Sequence, residues 1–171
     1  FVDGASLVLD APSTKLSVVG VTGTNGKTTV VSLIGDVLGR VGRSRAVIGT
    51  LTGARTTPEA PELQTLLAAL VDDGVTDVAM EVSSHALALG RVEAVEFAVG
   101  VFTNLGLDHL DFHGTPEAYF AAKAELFRPG RCRAAVVNVD DLHGRLIVDS
   151  LRGVDGSPSE VVPVSLEDLD D

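Results

Sequence analysis

The segment Gly23-Thr24-Asn25-Gly26-Lys27-Thr28-Thr29 has the residues to bind phosphate. An apolar run, Ser17-Val18-Val19-Gly20-Val21, precedes it, and a strongly helical stretch follows. Strand, glycine-rich turn, Lys-Thr and helix, in that order, is the layout of a phosphate-binding loop. The glycines let the backbone turn tightly and bring N–H groups against an anion. A helix starting near Gly26 adds unsatisfied donors and the positive end of its dipole. Lys27 supplies a cation for the outer phosphates, and the Thr28 hydroxyl can ligate Mg²⁺. Strict Walker spacing asks for a glycine where Val21 stands, so this is a shortened variant. The plainer reading is a glycine-rich turn with a surface lysine.

Other segments carry further candidates. Glu81 falls at the end of an apolar run and is followed by Val82-Ser83-Ser84-His85. A carboxylate there is costly unless it is paired or binds a metal. It is expected either to partner Mg²⁺ beside the phosphate loop or to cap the next helix. The loop Thr103-Asn104 through Asp108-His109-Leu110-Asp111-Phe112-His113 packs two histidines and two aspartates into a short span. His109 is either a hydrogen-bonded residue or a metal ligand with carboxylates beside it. Lys123 shares a helix face with Phe120, Ala124 and Phe127. Such a lysine either snorkels to water or sits buried with a depressed pKa. A neutral amine there could take up CO₂ as a carbamate and so supply oxygen ligands. Asn138-Val139-Asp140-Asp141 ends another strand and either meets a base or ribose or caps the helix from Leu142.

These candidates depend on elements that alternate strand, helix, strand. Strands are expected at 16–21, 46–49, 76–82, 97–102, 134–139 and 161–164. Most are near-continuous apolar runs, as in parallel strands buried on both faces. Val30, Ile34, Val37 and Val41 recur at helical spacing, as do Leu63, Leu66, Leu67, Leu70 and Val71, with Gly74 as a stop. Thr115-Pro116 reads as a helix start, the helix running to Phe127. The alternation predicts an α/β fold: a doubly wound, mostly parallel sheet with helices on both faces, like the phosphate-loop NTPases. Ligands bind such sheets beyond the strands' carboxyl ends, where the segments above would converge.

The 171 residues allow one domain with a substantial core. A net charge of −11 argues against a nucleic-acid partner, although a local nest of N–H groups can still hold a nucleotide. The tail Glu167-Asp168-Leu169-Asp170-Asp171 adds four of the negative charges and reads as a frayed end. The single cysteine, Cys132, excludes an internal disulfide framework and suits a reducing cytoplasm. No apolar run approaches the ~20 residues a membrane span needs, and no signal peptide is recognisable.

At these residues the chain resembles the Mur ligases, ATP-dependent amide-forming enzymes of peptidoglycan synthesis. The resemblance rests on Gly23–Thr29, on Thr56-Thr57-Pro58-Glu59-Ala60-Pro61, on Met80-Glu81-Val82-Ser83-Ser84-His85-Ala86-Leu87 with Arg91, and on Thr103-Asn104 through Asp108-His109-Leu110-Asp111-Phe112-His113-Gly114. It is closest to the branch that adds the third residue to UDP-N-acetylmuramoyl-L-alanyl-D-glutamate. It implies that residues 1–15 are a linker and that residues 16–171 belong to the central ATP-binding domain. Separate N- and C-terminal domains of the same enzyme would lie outside this stretch. It implies that Gly23, Thr24, Asn25, Gly26, Lys27, Thr28 and Thr29 hold the ATP phosphates, with Asn138 near the adenine. Thr28 and Glu81 would hold one Mg²⁺; Glu81, His109 and a carbamylated Lys123 would hold a second. Lys27, Lys123 and His109 would be catalytic, and Thr56, Thr57, Ser83 and Arg91 would contact the UDP-muramoyl dipeptide. A diamino acid would be the second substrate, with no membrane insertion and a cytoplasmic location. Arg55 and Leu89 depart from residues some relatives carry. Three alternatives share parts of the pattern: a folylpolyglutamate- or cyanophycin-type ligase, a Mur-like synthetase amidating lipid-linked precursors, and a non-catalytic nucleotide-binding module.

Overall fold

A computed structural model describes residues 9–53 and 55–166; the acidic tail at 167–171 lies outside them. Six strands form one sheet: β1 (Ser17–Thr22), β2 (Arg45–Ile48), β3 (Asp77–Glu81), β4 (Phe97–Phe102), β5 (Cys132–Asn138) and β6 (Glu160–Val164). Their spatial order is β2-β3-β1-β4-β5-β6, and every neighbouring pair is parallel. All six expected strands are present, with ends displaced by no more than two residues. The order reverses beside β1, because the chain fills one side of it before crossing to β4 on the other.

Among the described residues six α-helices connect the strands: α1 (Lys27–Arg40), α2 (Ala60–Asp72), α3 (Ser84–Ala88), α4 (Leu110–His113), α5 (Pro116–Ala124) and α6 (Leu142–Leu151). The short helices α3 and α4 were not expected from periodicity, since neither is long enough to show one. Alternation along each strand splits the core in two. Val19, Val21, Ala79 and Val47 meet Val30, Val31 and Ile34 of α1 on one face. Val18, Met80, Phe102 and Val137 meet Leu63 and Leu67 of α2, and Ile147 and Leu151 of α6, on the other. Helices therefore cover both faces, as expected.

Two helical stripes differ from expectation. On α1 the buried residues are Val31 and Gly35, while Val37 and Val41 are 58% and 68% exposed. The face of α1 turned to the sheet runs through Val31, Gly35 and Gly39, where an added Cβ at Gly35 or Gly39 would lie 2.6 Å from Val47 or Arg45 of β2, so Val37 and Val41 fall to one side of it. On α5, Tyr119, Ala122 and Lys123 are buried, and Phe120 and Ala124 are only partly so. The buried face is thus one residue round from the one that Phe120 suggests. Leu126 and Phe127 continue it in a 3₁₀ turn. Thr115 caps α5 by accepting from the Ala118 N–H at 3.1 Å. Ahead of β1, Pro12 and Ser13 are buried in a 3₁₀ turn, and the Ser13 hydroxyl accepts from the Glu96 N–H at 3.1 Å.

Candidate functional site

Because all six strands run the same way, the segments leaving β1, β3, β4 and β5 emerge at one rim. The β1 exit is the loop Gly23–Gly26, and the β4 exit acts as its template. The Thr24 N–H donates to Asn104 O at 2.8 Å, the Asn25 N–H to Asn104 Oδ1 at 3.0 Å, and the Thr103 hydroxyl to Asn25 O at 2.7 Å. A Cβ on Gly23 would lie 1.9 Å from Thr103 Oγ1, at φ +149°. Only glycine permits that approach. Gly26, also left-handed at φ 84°, starts the 14-residue α1, and no side chain caps it. The first N–H groups of α1 are therefore left to an anion at the rim.

Two lysines converge on one carbonyl. Lys27 Nζ donates to Gly23 O at 2.8 Å and to Thr24 O at 2.9 Å. Lys123 Nζ, from α5, donates to the same Gly23 O at 2.7 Å. Lys123 is 1% exposed, so its head does not snorkel to water; it is a buried lysine. Burial first, then the neighbouring Lys27 charge, lowers its pKa from 10.5 to about 7, against the opposing pull of Asp108. Burial also holds Lys27 below its ordinary value, with Glu81 and Asp108 opposing.

Glu81 is 2% exposed at the end of β3. Its Oε1 accepts from the Thr28 hydroxyl at 3.0 Å and from the Thr50 N–H at 2.8 Å. It does not cap the next helix: the Ser83 hydroxyl does, accepting from the Ala86 N–H at 3.2 Å. A hydroxyl and a carboxylate side by side next to a phosphate loop fit Mg²⁺, which takes few protein oxygens and completes its shell with phosphate and water. Among the described residues no three His, Cys, Asp or Glu side chains group to hold a metal. A second cation here would need further oxygens, such as a modified lysine.

His109 makes no hydrogen bond to that pair among the described residues. It is exposed and left-handed, at φ 51°. Its ring lies 4.8 Å from that of His85 and 6.1 Å from that of Tyr119, and its Nε2 lies 3.4 Å from Asp108 Oδ2. It lines an open cleft of about 460 Å³ together with Thr56, Thr57, Ser83 and Arg91. Within the cleft, the Thr57 hydroxyl is already committed: it donates to Glu81 O at 2.9 Å and accepts from the Ser83 N–H at 3.1 Å. Arg91 pairs with Glu59 at 2.8 Å, and Arg55 pairs with the same carboxylate. Thr56 Oγ1 lies 3.0 Å from Thr50 Oγ1.

At the β5 exit, the Asn138 amide donates to Thr103 O at 2.8 Å and accepts from the Asp140 N–H at 3.0 Å. Asp141 caps α6 through the His143 N–H and accepts from the Leu105 N–H, both at 2.8 Å. The capping alternative thus describes Asp141, and Asn138 ties two rim segments together. Thr50 and Tyr119 were not singled out from sequence. Tyr119 is detectable in hindsight, one helical turn before Lys123. The Thr50 contact is a backbone one, which residue type does not reveal. Cys132 is buried in β5 with its thiol pushed up to about 11, and is unreactive.

A parallel sheet carrying a Gly-Lys-Thr loop at its order reversal, with a buried carboxylate against the loop threonine, defines a phosphate-loop α/β domain. Sequence comparison narrows the class. Residues 21–167 match the model of the Mur ligase middle domain, and the chain belongs to that family. It is 48% identical over 150 residues to the UDP-N-acetylmuramoyl-L-alanyl-D-glutamate–2,6-diaminopimelate ligase of Streptomyces coelicolor, covering 82% of this chain and 29% of that one. The enzyme of the same name from Pseudomonas putida is 48% identical over 168 residues, covering 91% and 34%. A solved structure of a ligase of this name superposes with a TM-score of 0.80 at 38% identity, covering 88% of this chain and 32% of that one. The chain thus spans about a third of the length of the curated relatives it matches. Among the described residues, no helix is long and apolar enough to cross a membrane.

Proposed function

We propose that this chain is the ATP-binding part of a ligase adding a diamino acid to UDP-N-acetylmuramoyl-L-alanyl-D-glutamate in the cytoplasm. Residues 16–171 would form its central domain, joined through 1–15. One observation carries the reading: Thr28 and Glu81 pair directly below an uncapped helix start, where Lys27 and the buried Lys123 share the Gly23 carbonyl. The similarity to ligases of that name supports the substrate.

In this reading the substrate carboxylate attacks the γ-phosphorus of ATP, the bond to ADP breaks, and an acyl phosphate forms. The amine of the diamino acid then attacks the acyl carbon, and phosphate and a proton leave. The N–H groups of residues 23–29 hold the phosphates, and Lys27 leaves its carbonyl contacts to offset their charge. Thr28 and Glu81 would hold Mg²⁺, which when bound neutralises charge on the transferring group. Asn138, braced on Thr103, borders the adenine. Thr56, Ser83 and Arg91 contact the muramoyl dipeptide, and Thr57 fixes the strand ends behind them.

Lys123 is suited to carbamylation. At neutral pH a large share of its amine is neutral, the form that attacks CO₂. The C–N bond would form as a proton leaves to water, and the carbamate would then be able, with Glu81 and His109, to hold a second cation and supply it with oxygen ligands.

The isolated chain should bind ATP with millimolar Mg²⁺ in calorimetry and make no amide. Absence of binding, or ligation by the chain alone, contradicts the reading. Lys123→Ala in the full-length protein should cut activity by orders of magnitude. A loss under about threefold, roughly 0.7 kcal/mol, would favour a non-catalytic nucleotide switch. A panel of muramoyl, folate and lipid-linked substrates separates the remaining ligase types.

A further inference from the structure

Tyr119 is a buried aromatic at the rim, 1% exposed, and no step above uses it. Contacts with the loop, with Lys123 and with His113 fix it. Its hydroxyl lies 3.1 Å from Thr24 Oγ1, in the phosphate loop. Its ring centroid lies 4.5 Å from Lys123 Nζ. The ring centroid also lies 5.2 Å from that of His113. Thr24 Oγ1 also accepts from the Gly106 N–H at 2.8 Å.

Counting hydrogens shows what this arrangement leaves over. Two hydroxyls carry two hydrogens, and one is spent between them. With Tyr119 donating to Thr24, the hydrogen left over is that of Thr24, and among the described residues its acceptor is the Gly106 carbonyl at 3.5 Å, too far for a good bond. Among the described residues the pair is therefore a donor with no short acceptor, held at the loop whose N–H groups face the rim. The acceptor that fits is an anionic oxygen of a nucleoside polyphosphate.

We propose that Tyr119 is a positioning residue of the phosphate loop: by holding the Thr24 hydroxyl it directs a hydrogen bond to a bound nucleotide phosphate, while its ring seats Lys123 under Gly23. One side chain thereby ties α5 to the loop. The inference rests on the nucleotide-binding reading above.

The test is calorimetric titration of the chain with ATP and excess MgCl₂. Tyr119→Phe keeps the ring and removes the hydroxyl; Thr24→Val removes the other partner; Thr24→Ser restores it. Tyr119→Phe and Thr24→Val should each weaken binding about fivefold, the double variant no more than either single one. Thr24→Ser should bind as the wild type does. Circular dichroism checks that each variant is folded. Should Tyr119→Phe unfold the chain, the Thr24→Val and Thr24→Ser pair decides alone, with equal affinities overturning the proposal. Wild-type affinity in Tyr119→Phe, or additive losses in the double variant, overturns it and leaves the nucleotide reading standing. No binding by the wild type overturns both.

Discussion

Two buried carboxylates stand at opposite ends of β3, and they are compensated in different ways. Asp77, at the amino end, is 5% exposed and accepts from Arg43 Nε at 2.8 Å, from Arg43 Nη2 at 3.0 Å and from the Thr76 hydroxyl at 2.6 Å. Glu81, at the carboxyl end, is 2% exposed and accepts only from the neutral Thr28 hydroxyl and Thr50 N–H, with no ion pair among the described residues. A bidentate guanidinium completes a carboxylate's bonding and closes the site. Two neutral donors on one oxygen leave lone pairs and charge uncompensated. The difference distinguishes a carboxylate that serves folding from one that serves a ligand.

The largest expected effect separates these roles. Glu81→Gln keeps an acceptor and removes the charge. It should cost on the order of 100-fold in Mg²⁺-dependent ATP affinity, with the melting temperature unchanged or raised. A lower melting temperature with affinity intact would assign Glu81 to the fold. Asp77→Asn should show the reverse: about 1–3 kcal/mol of stability lost in urea unfolding, with ATP affinity unchanged. The pH dependence sharpens the contrast. Hydrogen bonding to Arg43 foremost holds the Asp77 carboxyl below its ordinary 3.8. Its contribution is fully present above 3.8 and is lost as pH falls through the lower folded value. Urea midpoints measured from pH 5 downward should fall more steeply for the wild type than for Asp77→Asn. The smallest effect is expected from Arg43→Lys, which keeps the charge and loses the fork. It should cost under about 1 kcal/mol, since Arg43 is half exposed.

The Glu81 side of this contrast was legible in the sequence, whereas the Asp77–Arg43 pair, joining two strand entries, was not. The apolar runs located all six strands, because parallel strands buried on both faces leave a continuous signal. The glycines, Lys27 and Thr28 located the loop, and Glu81 stood out as a charge ending such a run. What remained open was direction and partner. Lys123 could have snorkelled; its contact with Gly23 spans a sequence separation of 100 that periodicity does not encode. Phe120 looked like the inward aromatic of α5, and Tyr119 took that place because a hydroxyl partner on Thr24 lets a tyrosine be buried. On α1 the glycines Gly35 and Gly39, not Val37 and Val41, turn to β2, a close approach that an apolar count does not reveal. The committed Thr57 hydroxyl and the Asn138 brace likewise reflect pairings between separate strand exits.

The most direct measurement is a calorimetric ATP titration, with and without Mg²⁺, of the wild type, Glu81→Gln and Asp77→Asn side by side. The account predicts that Mg²⁺ strengthens binding in the wild type and in Asp77→Asn, and that this enhancement disappears in Glu81→Gln. An undiminished Mg²⁺ enhancement in Glu81→Gln would contradict it.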